Sequence, residues 1–109
     1  MRKIEHQMIN AIIGKAKDWK SGNTKVCTNT EGYTHVYLHN NHIATISDTG
    51  VTLYDGGWQS NTTKSRLNAI LFAFNGGWSV FQKNFEWFVR DYTITQPFHN
   101  GYVLAFCDS

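Results

Sequence analysis

The sequence has few cysteines, one proline and no long apolar run. Its two cysteines, Cys27 and Cys107, lie near opposite ends of the chain and form no CxxC pair. No stretch approaches the roughly 20 apolar residues that cross a bilayer, and polar residues interrupt the start, where a signal peptide is apolar. We therefore expect a reduced, cytoplasmic protein with no membrane partner, whose thiols are free unless the fold brings the two cysteines together.

The sequence also lacks a strong excess of charge, because ten lysines and arginines against eight acids leave a formal charge of only +2. A protein that binds DNA or RNA by charge alone is much more basic, so nucleic-acid binding would require local clustering of cations. Catalytic signatures such as GxSxG, HExxH or a kinase motif are absent. We expect no enzymatic activity and no cofactor, and a thiol enzyme that pairs Cys27 or Cys107 with a histidine is a less favoured alternative.

The 109 residues, 41% of them hydrophobic, can bury one core but not two, which predicts one compact domain over residues 1–109. Apolar residues recur with helical spacing as far as Trp19, which predicts a helix over residues 3 to about 19. Alternation of apolar and polar residues then predicts an antiparallel meander of three or four strands within residues 25–55.

A second helix is predicted over residues from about 63 to 75, where Leu67, Ile70, Leu71 and Phe74 form one apolar stripe. Two aromatic strands and a last strand are predicted within residues 78–107, with a turn over residues 97–100. Because strands and helices are segregated rather than alternating, the sequence predicts an α+β protein with an antiparallel sheet and argues against a βαβ nucleotide-binding fold.

The segment GGWQSNTTKSRLNAI, residues 56–70, invites a functional interpretation. A phosphate-binding loop is weakly supported, since the GxxxxGK[ST] spacing is absent. In a nucleic-acid surface, Trp58 would stack on a base while Lys64 and Arg66 contact phosphates. We favour a structural interpretation, in which Thr62 or Thr63 caps the second helix and Trp58 packs over the junction.

Even in that structural interpretation, several side chains of the segment stay free enough to bind a partner. These candidates are Trp58, Gln59, Lys64 and Arg66.

Three histidines in THVYLHNNHIAT suggest a metal site. His35 and His39 would share one face of a strand, and His42 follows the predicted turn at Asn40 and Asn41, so that two or three imidazoles could approach one another. A zinc site needs four protein ligands, or three and a water, and neither cysteine is near in sequence. Polar residues on the wet face of a hairpin explain the histidines equally well, and we expect no metal.

The stretch SVFQKNFEWFVRDYTI has alternating large aromatic residues, Phe81, Phe85, Trp87 and Tyr92, with the cations Lys83 and Arg90 nearby. Aromatic and basic side chains on a sheet can bind single-stranded nucleic acid. One aromatic row must nevertheless form the core, and Trp87 or Phe88 is expected in it. We count Lys83, Trp87 and Arg90 as further candidates for binding.

Four stretches, KSGNTKV, VYLHNNHIATI, GWQSNTTKSRLNAIL and VFQKNFEWFV, resemble the pattern of a family of small bacteriophage proteins. That pattern is GNTxV, LHxxxIA, GWxSxTTxxRLNAIL and VxQKxxxWxV, and it extends over roughly residues 19–103. The usual glycine after the LH pair is Asn40 here, which affects the hairpin turn. The resemblance implies a phage origin and a setting in the host cytoplasm, and it carries no catalytic or binding residue to this chain.

Small phage proteins of this size often resemble host-takeover or anti-defence factors, which act by binding. By that resemblance we expect a non-enzymatic inhibitor that binds a host protein or a defence complex, such as a CRISPR effector, through exposed aromatic side chains and a charged rim. A small nucleic-acid-binding protein is the alternative, and a metal-dependent or thiol enzyme is less favoured. A free sheet edge would also allow a homodimer.

Overall fold

The computed structural model describes residues 1–106, which contain two helices and nine strands in two antiparallel sheets. The predicted α+β class, with an N-terminal helix, a central helix and antiparallel strands, is confirmed. In chain order the elements are α1 (Lys3–Ile13), β1 (Trp19–Ser21), β2 (Thr24–Thr28), β3 (Thr34–Leu38), β4 (Asn41–Ile46), β5 (Gly50–Leu53), α2 (Asn61–Phe74), β6 (Ser79–Lys83), β7 (Glu86–Arg90), β8 (Thr95–Pro97) and β9 (Tyr102–Ala105).

The strands are divided between a six-stranded sheet, in the order β1-β2-β3-β4-β5-β9, and a three-stranded sheet, in the order β6-β7-β8. The last strand therefore leaves its neighbours in sequence and pairs with β5, where Gly50 lies opposite Ala105. The predicted turn over residues 97–100 is wrong at its first residue, because Pro97 lies in β8 opposite Phe88. Strand β8 is an edge strand, where a proline costs no ladder hydrogen bond.

Helix α1 is shorter than the predicted helix over residues 3 to 19. It ends at Ile13, because Gly14 is a poor helix former and Lys15 takes a left-handed conformation with φ 51°. Trp19, predicted to belong to the helical stripe, instead lies in β1 opposite Val26. Its side chain still packs against the core. The prediction that Trp19 is an apolar core position is therefore confirmed, and the prediction that it belongs to a helix is wrong.

Helix α2 begins two residues before the predicted start. Its N-cap is Ser60, whose Oγ accepts a hydrogen bond from the Thr63 backbone N–H at 3.1 Å. The prediction that Thr62 or Thr63 is the cap is therefore wrong. Thr63 is buried, and its hydroxyl donates to the Trp58 carbonyl at 3.3 Å, which fastens the preceding loop to the helix.

Both helices contact the strands of the six-stranded sheet, and α2 also packs on β6. One hydrophobic core results, to which the three-stranded sheet contributes Val80, Trp87 and Val89. A side-chain clasp closes the edge of β6, because the Asn68 amide donates to the Val80 carbonyl at 2.9 Å and accepts from the Val80 N–H at 2.7 Å. The two sheets are thus joined through α2.

The second cysteine, Cys107, lies outside the described residues, so the predicted relation between the two thiols stays a prediction. Among the described residues Cys27 has no disulfide partner, and its side chain is partly exposed. No helix within residues 1–106 combines the length and the hydrophobicity needed to cross a membrane.

Candidate functional site

The outer face of the three-stranded sheet carries two stacked aromatic rings. Along β6 and β7 the side chains alternate, so that Val80 and Val89 face the core while Phe81 and Phe88 lie opposite each other on the outer side. The rings of Phe81 and Phe88 are stacked, with centroids 5.5 Å apart and an interplanar angle of 25°. Both residues lie outside the hydrophobic core formed by the described residues and are half-buried, so that part of their apolar surface faces solvent.

An arginine packs on this stacked pair, and a third phenylalanine lies at the tip of the same hairpin. The Arg90 guanidinium lies over the Phe81 ring, 4.4 Å from its centroid. Phe85, at the tip of the β6–β7 hairpin, is 92% exposed and has a left-handed backbone with φ 67°. We call Phe81, Phe85, Phe88 and Arg90 the aromatic face.

The opposite end of β7 carries another exposed ring, that of Tyr92, which is 95% exposed. The turn that holds it is organised by Asp91, whose Oδ1 accepts hydrogen bonds from the backbone N–H groups of Thr93 and Ile94, both at 2.8 Å. These bonds, of which the one from the Thr93 N–H has the largest effect, hold the pKa of Asp91 below its usual range. Asp91 is therefore a fixed negative charge beside Arg90.

Charges around the aromatic face are balanced. Lys83 is exposed and lies opposite Glu86 in the register of β6 and β7, and Arg90 is followed directly by Asp91. Lys64 of α2 is half-buried, and its Nζ donates to the Gln82 Oε1 at 3.2 Å. Gln82 lies opposite Trp87 in the register, on the other side of the strand from Phe81. Of the predicted binding residues, Lys83 and Arg90 thus border the aromatic face, and Lys64 does not.

Two predicted binding residues are not available at the surface. Arg66 is only 3% exposed, and its Nη1 forms an ion pair with the Glu5 carboxylate at 2.8 Å. Its Nε donates to the Thr24 Oγ1 at 3.1 Å. The prediction that Arg66 contacts phosphates is wrong, because every hydrogen-bonding edge of its guanidinium faces the protein.

Trp87 is likewise 3% exposed and packs edge-on against Phe98, with ring centroids 5.4 Å apart. Its Nε1 has no hydrogen-bond partner among the described residues. The expectation that Trp87 or Phe88 lies in the core is confirmed for Trp87, and its burial contradicts its candidate role at the surface. Its neighbour Phe88 is half-buried and has part of its ring on the outer side, because alternation along β7 places the two residues on opposite faces.

Trp58 lines a cleft of about 430 Å³ beside the start of α2, and Gln59 follows it in the loop. The indole of Trp58 is 75% exposed, which contradicts the expectation that it packs over the junction. Gln59 is held in the loop, since its Nε2 donates to the Asp55 Oδ2 at 3.3 Å. The buried side chains of Leu38 and Ile43 contribute apolar surface to the cleft.

Only two of the three candidate metal-binding histidines converge. His35 Nδ1 and His42 Nε2 lie 3.4 Å apart on the open face of the six-stranded sheet, and the Thr45 hydroxyl is within 3.0 Å of the first and 2.8 Å of the second. His39 lies at the β3–β4 turn, with φ 50°, and lines the cleft beside Trp58. Within residues 1–106 no group of three or more His, Cys, Asp and Glu residues is placed to hold a metal ion.

The pair of imidazoles has an electrostatic consequence. Burial and then the neighbouring charge of His35 lower the pKa of His42, while a backbone hydrogen bond to Ala44 acts in the opposite direction. A bulge between Val36 and Tyr37 produces this arrangement, because it turns both Ile43 and Ala44 inward and leaves His42 on the outer face. Alternation of apolar and polar residues does not reveal this bulge.

These surfaces define the class of the molecule: a small α+β protein that exposes aromatic side chains in a balanced setting of charge. The chain matches the family model described as Kyanoviridae Gp96 protein over residues 1–105, and it belongs to that family of bacteriophage proteins. The phage origin predicted from sequence is confirmed, while the four-part motif stays a prediction. No curated protein and no solved structure shows a significant match to the chain.

Proposed function

We propose that this phage protein acts by binding a host protein through the aromatic face, as host-takeover and anti-defence inhibitors do. The observation that carries the proposal is the stacked pair of Phe81 and Phe88, which presents aromatic surface outside the core. Because each ring is already half-buried, its complete burial in an interface would contribute less than the about 1.5–3 kcal/mol of a fully exposed side chain. Arg90 over Phe81 adds a residue type that is enriched at the energetic centre of protein interfaces.

The conformation of Phe85 gives further support. A bulky side chain with φ 67° costs free energy relative to glycine or asparagine. At 92% exposure Phe85 gains almost no packing in return. A contact with a partner would account for a phenylalanine at this hairpin tip.

A protein partner suits this surface better than a nucleic acid. The two cations of the three-stranded sheet, Lys83 and Arg90, are matched by Glu86 and Asp91. Burial of Arg66 removes one of the four cations that nucleic-acid binding would have used. A phosphate backbone requires a net positive surface, whereas a protein interface combines an apolar centre with charges of both signs at its rim.

The proposal is tested by affinity capture from nuclease-treated host lysate with three forms of the protein. The double variant Phe81→Ser/Phe88→Ser removes the stacked pair, and Phe72→Ser is the matched control, because Phe72 is also an exposed phenylalanine but lies on α2. We expect wild type and Phe72→Ser to retain the same stoichiometric partner and the double variant to lose it. Circular dichroism checks that all three forms are folded.

Three outcomes would contradict the proposal. Equal capture of the partner by the double variant would exclude the aromatic face as its site. Salt-dependent binding of a labelled oligonucleotide, lost in the same double variant, would assign the face to nucleic acid. Self-association in sedimentation experiments that the double variant abolishes would assign it to a second copy of the chain.

A further inference from the structure

The cleft before α2 combines an aromatic ring, an apolar floor and a carboxylate. Trp58 stands at its edge, Leu38 and Ile43 form the floor, and Asp55 completes the lining at the start of the loop. Its volume of about 430 Å³ lies within the range of pockets that hold small ligands or single side chains.

A tight turn brings the backbones of Asp55 and Trp58 together, and both residues line the cleft. The Trp58 N–H donates to the Asp55 carbonyl at 3.3 Å, and Gly56 and Gly57 between them have φ 70° and 85°. Two consecutive positive φ values characterise a type I′ turn, whose first and last Cα atoms lie within about 7 Å. The Asn100 side chain fixes the turn by accepting the Asp55 backbone N–H at 2.8 Å.

The Asp55 carboxylate has neutral partners and no countercharge. Its Oδ1 accepts from the Gly57 N–H at 2.7 Å and its Oδ2 from the Gln59 amide at 3.3 Å. The single ion pair within residues 1–106 is that of Arg66 with Glu5. An ionised carboxylate accepts about four hydrogen bonds, so Asp55 retains lone pairs for a cationic donor.

We propose that this cleft binds the guanidinium side chain of an arginine, presented by a peptide or protein. The three methylene groups would lie on Leu38 and Ile43, the planar guanidinium would stack on the Trp58 indole, and its N–H groups would donate to the Asp55 carboxylate. Arginine makes the last two of these contacts better than lysine, whose compact ammonium neither stacks as a plane on an indole nor forms a forked pair with a carboxylate.

This inference does not depend on the proposed function, because the cleft and the aromatic face are formed by different side chains. An arginine-binding cleft would operate whether the aromatic face binds a protein or nothing.

The test is a titration of the protein with N-acetyl-arginine methylamide, followed by the NMR signal of the Trp58 indole N–H. That signal is assigned by its absence from the spectrum of Trp58→Phe. We expect a saturable shift with a dissociation constant in the order of 1 mM, and weaker binding at high salt because the pair is near the surface. The isosteric citrulline ligand, which is uncharged, should bind roughly fivefold more weakly or worse.

Two variants locate the interaction. Asp55→Asn keeps a side-chain oxygen for the Gly57 N–H and removes the charge, so it should fold as wild type and weaken arginine binding by roughly fivefold or more. Phe81→Ser/Phe88→Ser lies outside the cleft and should bind the arginine ligand as wild type does. Equal binding of citrulline and arginine, undiminished binding by Asp55→Asn, or no saturable shift of the Trp58 signal would each overturn the inference.

Discussion

Arg66 and Glu5 form an ion pair with an N–O distance of 2.8 Å in which both side chains are about 3% exposed. The pair joins α2 to α1, and Arg66 reaches further to the Thr24 hydroxyl at the start of β2. The Ser65 hydroxyl also donates to the Glu5 carboxylate. Arg66, which belongs to the candidate phosphate-binding segment of residues 56–70, therefore links α2 to α1 and to β2.

Substitution of Arg66 by alanine should lower the free energy of unfolding by about 3–5 kcal/mol, because the Glu5 carboxylate is left buried without its countercharge. Urea denaturation measures the loss. Lys64→Ala, on the same helix, should change stability by less than about 0.5 kcal/mol. The double variant Glu5→Leu/Arg66→Met should recover most of the loss, since it leaves no unpaired charge, and a full loss in the double variant would contradict this account.

Because the Glu5 carboxylate is buried and paired, we expect the stability of the protein to depend on pH. Burial alone would raise the pKa of Glu5, but hydrogen bonds from Ser65, Arg2 and Arg66 and the charge of Arg66 together hold it below its ordinary value of 4.5. The unfolded chain therefore takes up this proton at a higher pH than the folded one. The stabilisation is fully present above the ordinary value and is lost as the pH falls through the folded pKa.

Urea titrations between about pH 6 and pH 3 check this dependence. The free energy of unfolding of wild type should fall more steeply with decreasing pH than that of Glu5→Gln, which has no proton to gain. Glu31→Gln changes an exposed acid and should retain the wild-type slope. Identical slopes for wild type and Glu5→Gln would show that the buried carboxylate is not coupled to folding.

Asn68→Ala should destabilise the junction of α2 with the three-stranded sheet. Both bonds to the Val80 backbone are lost, and the unpaired groups cost about 1–3 kcal/mol. Asn68→Asp retains an acceptor for the Val80 N–H but places an oxygen against the Val80 carbonyl. Hydrogen exchange of the Val80 amide should therefore be faster in Asn68→Ala than in wild type, and unchanged protection would contradict the role of the clasp.

The histidine pair predicts a second dependence on pH. The pKa of His42 should lie below 6.5, because burial and His35 disfavour its charged form. NMR titration of the ring carbon-bound protons measures it. His35→Asn should raise the pKa of His42 only part of the way to 6.5, since burial remains, whereas His39→Asn, on the cleft side, should leave it unchanged. The unfolded chain therefore takes up the His42 proton at a higher pH than the folded protein does. The free energy of unfolding should fall as the pH drops below 6.5 and should stop falling below the folded pKa of His42.

Local periodicity predicted the order of helices and strands well. The stripe of Leu67, Ile70 and Leu71 is buried as expected, and the alternation in β3 and β4 produces paired strands. These features depend on residues within one or two turns of each other, and the sequence contains that information directly.

Long-range partners could not be predicted from the same patterns. Nothing local distinguishes Arg66 from an exposed cation, because its partner Glu5 lies on the other helix. Trp87 and Phe88 are adjacent aromatic residues, and only the packing of β7 decides which one is buried. The convergence of His35 with His42 likewise depends on a bulge that alternation does not reveal.

The position of β9 has a consequence for synthesis of the chain. Strand β5 precedes α2 and the whole three-stranded sheet, yet its second neighbour is β9, the last described strand. Until Tyr102–Ala105 leaves the ribosome, one edge of β5 is unpaired, and the buried Val51 and Leu53 lack the cover of Leu104 and Tyr102. The large sheet is therefore completed only after residues 102–105 have been translated, and nascent chains that lack them are the form in which β5 is open to other strands.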